Sequence, residues 1–364
     1  MERREFLRLS LTLAALGSFH NLIMACAHSS AYQTADQSIF PGIQIIDAHA
    51  HPDQFHHLRP SRIDASSTLR KIINLGMAAS VFAGVGDLPF FSSNPSTTYY
   101  KSALNQLKRV QKLVDSGKVK LITKAPEIPI VTKNHYVPGA IMAIEGGDPL
   151  EGKVARVDEF YQLGVRIITL VHYRNNELGD IMKPWRNAHP GPYSNGLTKA
   201  GRKVIERMQT IGMVVDVAHA HPRTLKQIVE MNPKPLLDSH TNPCPTEDLQ
   251  ECGRMRTWKD MELIAKTGGV ICTWPWAFIR PNYKRQTFLD WAQEILEMKR
   301  RLGIEHVGLG TDGGGNIPRF IKGYRDILDL PKLTAAMKEV GLTKEDIKAF
   351  MGGNFYRILQ RCLG

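Results

Sequence analysis

Cysteine is scarce in this chain, five among 364 residues, and no two stand as Cys-x-x-Cys. That argues against a thiolate metal site. No apolar run is long enough for a comfortable membrane span. No dense run of Lys or Arg stands beyond the N-terminus, and no nucleic-acid motif accompanies the net charge of +12. The basic balance therefore reads as a solvated surface, and no nucleic-acid partner is expected. Internal repeats and low-complexity tracts are missing too. What remains is ordinary globular composition, 43% hydrophobic and 23% charged, with ample length for one large core.

The first 27 residues do not read as fold. "MERREFLR" is a basic start, and "LSLTLAALGSF" is a short apolar run, as in a signal peptide. Arg3 to Leu7 resembles a twin-arginine export signal. "IMAC" places Cys26 at the end of something like a lipobox, while "ACA" also suits ordinary signal peptidase. Both cleavages stay open, as does an uncleaved anchor. Each predicts export, to a bacterial periplasm or to a lipid anchor at the cell envelope. Residues 28–40 are small and polar and read as a tether, followed by one domain over 41–364. Export permits disulfides. Cys244 and Cys252 could pair; all four of Cys244, Cys252, Cys272 and Cys362 could equally be free.

After Pro41 eight apolar, β-rich segments recur, each followed by a longer helical pattern: "IQIIDAH", "AASVFAG", "GAIMAIEGG", "VRIITLVHY", "GMVVDVAH", "KPLLDSH", "GGVICTWPW" and "HVGLGTDGG". Near-continuous Val, Ile, Leu and Ala fits parallel strands buried on both faces. Between them, "GLTKAGRKVIERMQTIG" predicts a helix capped by Thr198, with Val204, Ile205, Met208 and Ile211 on one face and Gly212 at its end. A further helix is predicted around 99–117. Strand–helix alternation repeated eight times predicts an α/β fold, a (β/α)8 TIM-type barrel.

The polar residues then stand at strand ends. Asp47, His49 and His51 close the first segment, Glu145 the third, His172 the fourth, His219 the fifth, His240 the sixth and Asp312 the eighth. C-terminal strand ends form the active face of such a barrel, so these scattered residues converge. His49 and His51 obey period two and point to one face. Imidazole and carboxylate donors suit Zn²⁺, and also Mn²⁺, Co²⁺ or Fe²⁺. Glu145 has two oxygens and can bridge two ions, with His219 and His240 serving the second. Two such ions hold and activate a water. Asp312 would take its proton and pass it to a leaving amine. His56 and His57 read as exposed or mouth residues. His189 and His221 receive no role, and His306 lies at the wrong end of its strand.

These residues resemble the membrane dipeptidase (renal dipeptidase) family of metal-dependent hydrolases, over almost all of 43–362. "AIEGG" is similar to the family's Glu-Gly-Gly strand end, and implies that Glu145 bridges two zincs. "GLTKAGRKVIERMQTIGMVVDVAHAHPRTL" resembles its most recognisable block and implies His219 as a ligand; "LLDSH" then supplies His240. The likeness around "LTLVHYRNN" gives His172 an oxyanion-stabilising role on the substrate carbonyl. "RMRTWKD" makes Arg256 the candidate clamp for a substrate carboxylate, with Arg254 competing. "GLGTDGGG" implies Asp312 as the acid/base. A dipeptide substrate follows, and a homodimer is in keeping with the family.

Three places depart from the pattern, one being the long loop between His240 and Arg256 that holds "NPCPTEDLQECG". The usual His-x-Asp of the first strand is His-x-His here, through His51. The eighth strand usually continues to a second Asp, where this chain has Gly314. His-x-His also suits another amidohydrolase, a lactonase, amidase or deaminase on the same barrel. A non-catalytic surface lipoprotein on an old barrel is the remaining alternative.

Overall fold

The computed structural model describes residues 42–54, 67–92, 97–131, 136–182, 194–244, 246, 252–280, 283–315, 317 and 319–364. The signal peptide, Cys26, the tether, and His56, His57 and His189 lie outside the described residues. Among the described residues no helix is long and apolar enough to cross a membrane.

Eight parallel strands follow one another around a barrel. They are β1 (Ile45–Asp47), β2 (Met77–Val85), β3 (Gly139–Glu145), β4 (Val165–Thr169), β5 (Val214–Asp216), β6 (Leu237–Thr241), β7 (Val270–Thr273) and β8 (Val307–Leu309). Each corresponds to one of the eight apolar segments. The ring closes where Ala48 N donates to Leu309 O at 3.0 Å and Ala50 bridges Gly313. Two additions escape the eight-fold pattern. Lys120–Leu121 pairs beside β3, and Phe278–Arg280 with Tyr283–Arg285 makes an antiparallel hairpin. Both are too short or too polar to stand out as apolar runs.

Period two sorts the strand residues. Val81 and Ala83 of β2, Ile141 and Ala143 of β3 and Ile167 of β4 share one cluster, whereas Phe82, Met142, Ile144 and Ile168 join the cluster that includes the surrounding helices. The first cluster takes in Phe355, Ile358 and Leu359 of the C-terminal helix Asn354–Leu363. Asn354 Nδ2 donates to Val307 O, and Arg357 Nη1 to Gly268 O. Val307 begins β8 and Gly268 lies two residues before β7, so this helix covers the end of the barrel opposite the strand C-termini.

The helices form as their sequence dictates. Lys199–Ile211 is capped by Thr198, whose hydroxyl accepts from Gly201 N at 2.8 Å, and ends at Gly212 with φ +84°. It buries Val204, Ile205 and Met208, with Ile211 half-buried. The second expected helix runs over Tyr99–Asp115.

Cys244 and Cys252 form a disulfide, while Cys272 and Cys362 are free and buried. The bridge closes a loop after β6, just before Arg254.

Candidate metal centre

Glu145 ends β3 and is buried. Its backbone turns away at once, because Gly146 takes φ +96° and a Cβ on Gly147 would collide with Leu178 Cδ1. The Glu-Gly-Gly sequence is thus a steric requirement at this strand end.

Imidazoles converge on the Glu145 carboxylate. Its Oε1 lies 3.2 Å from His219 Nε2, 3.3 Å from His240 Nε2, 3.3 Å from His172 Nε2 and 3.6 Å from His49 Nε2. Its Oε2 lies 3.4 Å from His51 Nε2, which is 3.5 Å from Asp312 Oδ1. All of these residues are buried. Three sets bring their donor atoms within 4.8 Å of one another: His49–Glu145–His240, His49–His51–Asp312 and Glu145–His172–His219. The structure thus assembles all seven, from six strands. It also brings His172, read from sequence as a carbonyl-polarising residue, as close to Glu145 as the expected ligands.

His219 and Asp312 sit at φ +66° and φ +49°. Left-handed backbone at non-glycine residues costs energy and gathers at functional sites. Here it turns two strand ends inward.

Carboxylates and imidazoles shift one another strongly here. Burial alone would push the Glu145 carboxyl up, but His172, His49, His219 and His240 outweigh it and hold it well below the ordinary range. Burial opposes a charged His51 too, yet Asp312 and Glu145 push it up to about 10. Burial and the neighbouring Arg254 lower His219 well below its usual value. His49 Nε2 is buried and makes no hydrogen bond. Imidazole nitrogens and carboxylate oxygens, with no thiolate among the three sets, fit a borderline divalent ion.

The outward nitrogens of His51, His240 and His49 have protein partners, whereas His219 Nδ1 is buried and makes no hydrogen bond. His51 Nδ1 donates to Ala83 O at 2.6 Å. Ser239 gives its hydroxyl proton to Asp216 Oδ2 at 2.7 Å, so its oxygen is left to accept from His240 Nδ1 at 2.9 Å and to lie 3.3 Å from His49 Nδ1. Asp216 also accepts from Ala218 N, Ser239 N and the Thr169 hydroxyl. One hydroxyl thereby sits against both imidazoles of the His49–Glu145–His240 set. Ser239→Ala is expected to weaken metal binding roughly 10–100-fold. Competition against a graded chelator measures this; wild-type affinity in the variant would remove Ser239 from the account.

Sequence reasoning missed Asp87. It is buried, accepts from His172 Nδ1 at 2.8 Å and from Tyr173 N at 2.9 Å, and so fixes the His172 ring. The signal was its place two residues beyond β2, itself a strand end.

Arg256 does not reach the site. It is fully buried, with Nε donating to Asp238 Oδ2 at 2.6 Å, Nη1 to Ala220 O at 2.6 Å and Nη2 to Val217 O. Its guanidinium ties β6 to the backbone after β5, so the donors expected to clamp a substrate carboxylate are bonded within the protein. Arg254 stands at the mouth instead. It is half-buried, donates to His172 O at 2.9 Å and lies 4.4 Å over the Tyr173 ring. His221 caps helix Pro222–Val229. His306 Nδ1 donates to Gly269 O at 2.7 Å, at the far end of the barrel.

A model of the membrane dipeptidase family, peptidase family M19, matches residues 35–362. The chain belongs to that family. It is 25% identical to the dipeptidase tcpJ of Claviceps purpurea over 71% of this chain and 58% of the relative. It is 29% identical to an uncharacterized dipeptidase of Schizosaccharomyces pombe, over 73% of this chain and 63% of that one. The chain thus spans about three fifths of the length of these relatives. Among solved structures, the probable dipeptidase PvdM of Pseudomonas aeruginosa has the same fold, at 18% identity and TM-score 0.76, covering 89% of this chain and 96% of that one. A metallopeptidase of Rhodobacter sphaeroides, solved with a phosphinate mimic of L-Ala-D-Ala, aligns at 19% identity and TM-score 0.72, covering 88% and 99%.

Proposed function

We propose that this family member is a dipeptidase that holds two divalent ions, zinc being the preferred metal, and cleaves the amide bond of a dipeptide. The supporting observation is the convergence of five imidazoles and Asp312 on or beside one buried carboxylate, Glu145. His49, His51, Glu145, His219 and His240 would hold the ions. Bound ions of this kind supply Lewis acidity, activating water and polarising a carbonyl.

The chain's own residues do the rest. With Nδ1–H on Asp87, His172 leaves Nε2 facing the site, where the imidazolium form, protonated on both nitrogens, donates its Nε2 proton to the oxygen of the substrate carbonyl. Asp312 accepts the proton of the attacking water and delivers it to the amine as the bond breaks. Arg254, at the mouth beside Tyr173, takes the substrate's free carboxylate.

His-x-His favours a second reading, a lactonase, deaminase or other amidase. A panel separates the two. Hydrolysis of simple dipeptides, lost when their C-terminus is amidated, is expected. Activity on lactones or esters with none on dipeptides would reverse the ranking.

Export, to a periplasm or a lipid anchor at Cys26, rests on the basic and apolar N-terminus, and the Cys244–Cys252 disulfide is in keeping with it. Fractionating cells that make the wild type and Cys26→Ser tests it: lipidation predicts that only the wild type sediments with membranes. A homodimer rests on the family likeness alone, and light scattering decides it.

A further inference from the structure

We propose that the Cys244–Cys252 disulfide is a positioning element for Arg254, and that the small core built on it sets how firmly the clamp for the substrate's free carboxylate is held. The inference rests on the reading of Arg254 above.

Three observations carry it. The first is that Arg254 has little to hold it at the mouth. Among the described residues its side chain makes one hydrogen bond, to His172 O at 2.9 Å, and lies 4.4 Å over the Tyr173 ring. Both contacts are with the segment after β4. Neither fixes the chain that carries Arg254, and a surface loop with so few bonds opens at low cost.

The second is that this chain is pinned on both sides of Arg254. On one side Arg256 N donates to Asn242 O at 2.9 Å, and Cys244 N donates to Arg256 O at 2.6 Å. On the other side Cys252 is bonded to Cys244, at a sequence separation of 8. Cys244 is thus the common anchor: its backbone holds Arg256 and its sulfur holds Cys252. Between the anchors Gly253 takes φ +67°, and Met255 N donates to Cys252 O at 3.1 Å. The chain makes one tight turn there, and Arg254 sits on it.

The third is that the bridge has a core of its own. Cys244, Cys252, Met255 and Phe278 are buried together, apart from the two clusters of the barrel, with Trp276 and Tyr283 packed against them. Phe278 and Tyr283 stack at 4.9 Å and belong to the hairpin after β7. That hairpin is itself fixed. Tyr283 donates its hydroxyl proton to Glu294 Oε2 at 2.5 Å, Asn242 Nδ2 donates to Glu294 Oε1 at 2.9 Å, and Arg285 Nη2 donates to Trp274 O at 2.6 Å. Without the bridge, Cys252 loses its tie to the end of β6 and this core loses one wall. An arginine ordered before substrate arrives binds a carboxylate at less cost than one ordered on binding.

The test is a double-mutant cycle on KM. Wild type, Cys244→Ala/Cys252→Ala, Arg254→Ala and the triple variant are assayed on a simple dipeptide and on its C-terminal amide, with thermal melts to establish folding. Removing the bridge is expected to raise KM for the dipeptide roughly 3–10-fold with kcat little changed, as for one side chain that must be ordered on binding. Residual turnover of the amide should stay near wild type, which a general loosening of the barrel would not spare. Arg254→Ala should then cost less in the bridgeless background than in the wild type, by about the same factor. Equal Arg254→Ala losses in both backgrounds would overturn the assignment. If Arg254→Ala leaves KM unchanged in the wild type, the clamp reading fails and this inference with it. If Arg254→Ala raises KM while the bridgeless variant keeps the wild-type value, this inference alone falls. Should the bridgeless variant not fold, Phe278→Leu loosens the same core from the hairpin side: a KM raised about threefold or more supports the positioning role, and an unchanged KM overturns it.

Discussion

Glu145→Gln is expected to leave a folded barrel with roughly 10³-fold less dipeptide hydrolysis, or none, together with loss of bound metal. The change is nearly isosteric, so packing at the end of β3 should survive. What it removes is the charge that His219, His240, His172, His49 and His51 face at 3.2–3.6 Å. A glutamine oxygen can approach one ion weakly but cannot balance two. The amide nitrogen would also point a donor at one or more imidazoles. Far-UV circular dichroism with metal analysis checks the result. Full activity in this variant would contradict any mechanism centred on Glu145.

The two arginines are expected to part company. Arg256→Ala should cost stability, about 3–5 kcal/mol, because it strands a buried carboxylate and two buried carbonyls. Asp238 already titrates above the ordinary carboxylate range, since burial outweighs the pull of Arg256. Without Arg256 it rises further. A carboxyl whose native pKa exceeds its unfolded one adds stability in acid and loses it as pH rises through the native value. The Arg256→Ala deficit should therefore widen from acid to neutral pH, which denaturant titrations at several pH values will show. Arg254→Ala should do the opposite. It leaves stability near wild type and raises KM for dipeptides by roughly 10–100-fold, in line with a charged hydrogen bond worth about 1.5–3 kcal/mol. Its effect on a C-terminally amidated dipeptide should be small. A destabilised Arg254→Ala, or an Arg256→Ala that only raises KM, would reverse the assignment.

Those arginines also show where sequence stops being legible. Both lie in "RMRTWKD", two residues apart, and nothing local tells them apart. The difference is tertiary. Cys244 N donates to Arg256 O and Arg256 N to Asn242 O, which carries the Arg256 backbone into the wall beside β6. Arg254, two residues past the disulfide, is left at the mouth. The barrel itself was legible because strands buried on both faces are written as unbroken apolar runs. The metal-competent residues were legible because each ends such a run. Asp87 escaped because β2 continues to Val85, past the end that its apolar letters suggest. Ser239 escaped because its neighbour His240 accounted for the motif, and a hydroxyl's partners depend on two other strands. The Cys244–Cys252 pairing could be entertained but not chosen, since spacing carries no Cα distance.

The central claim is that dipeptide hydrolysis depends on ions held around Glu145. Purified protein is assayed on a simple dipeptide as isolated, after exhaustive chelation, and after zinc is restored, with metal content measured each time. The account predicts two ions per chain, loss of hydrolysis on stripping and its return with zinc. Undiminished dipeptide hydrolysis by the stripped protein would contradict it.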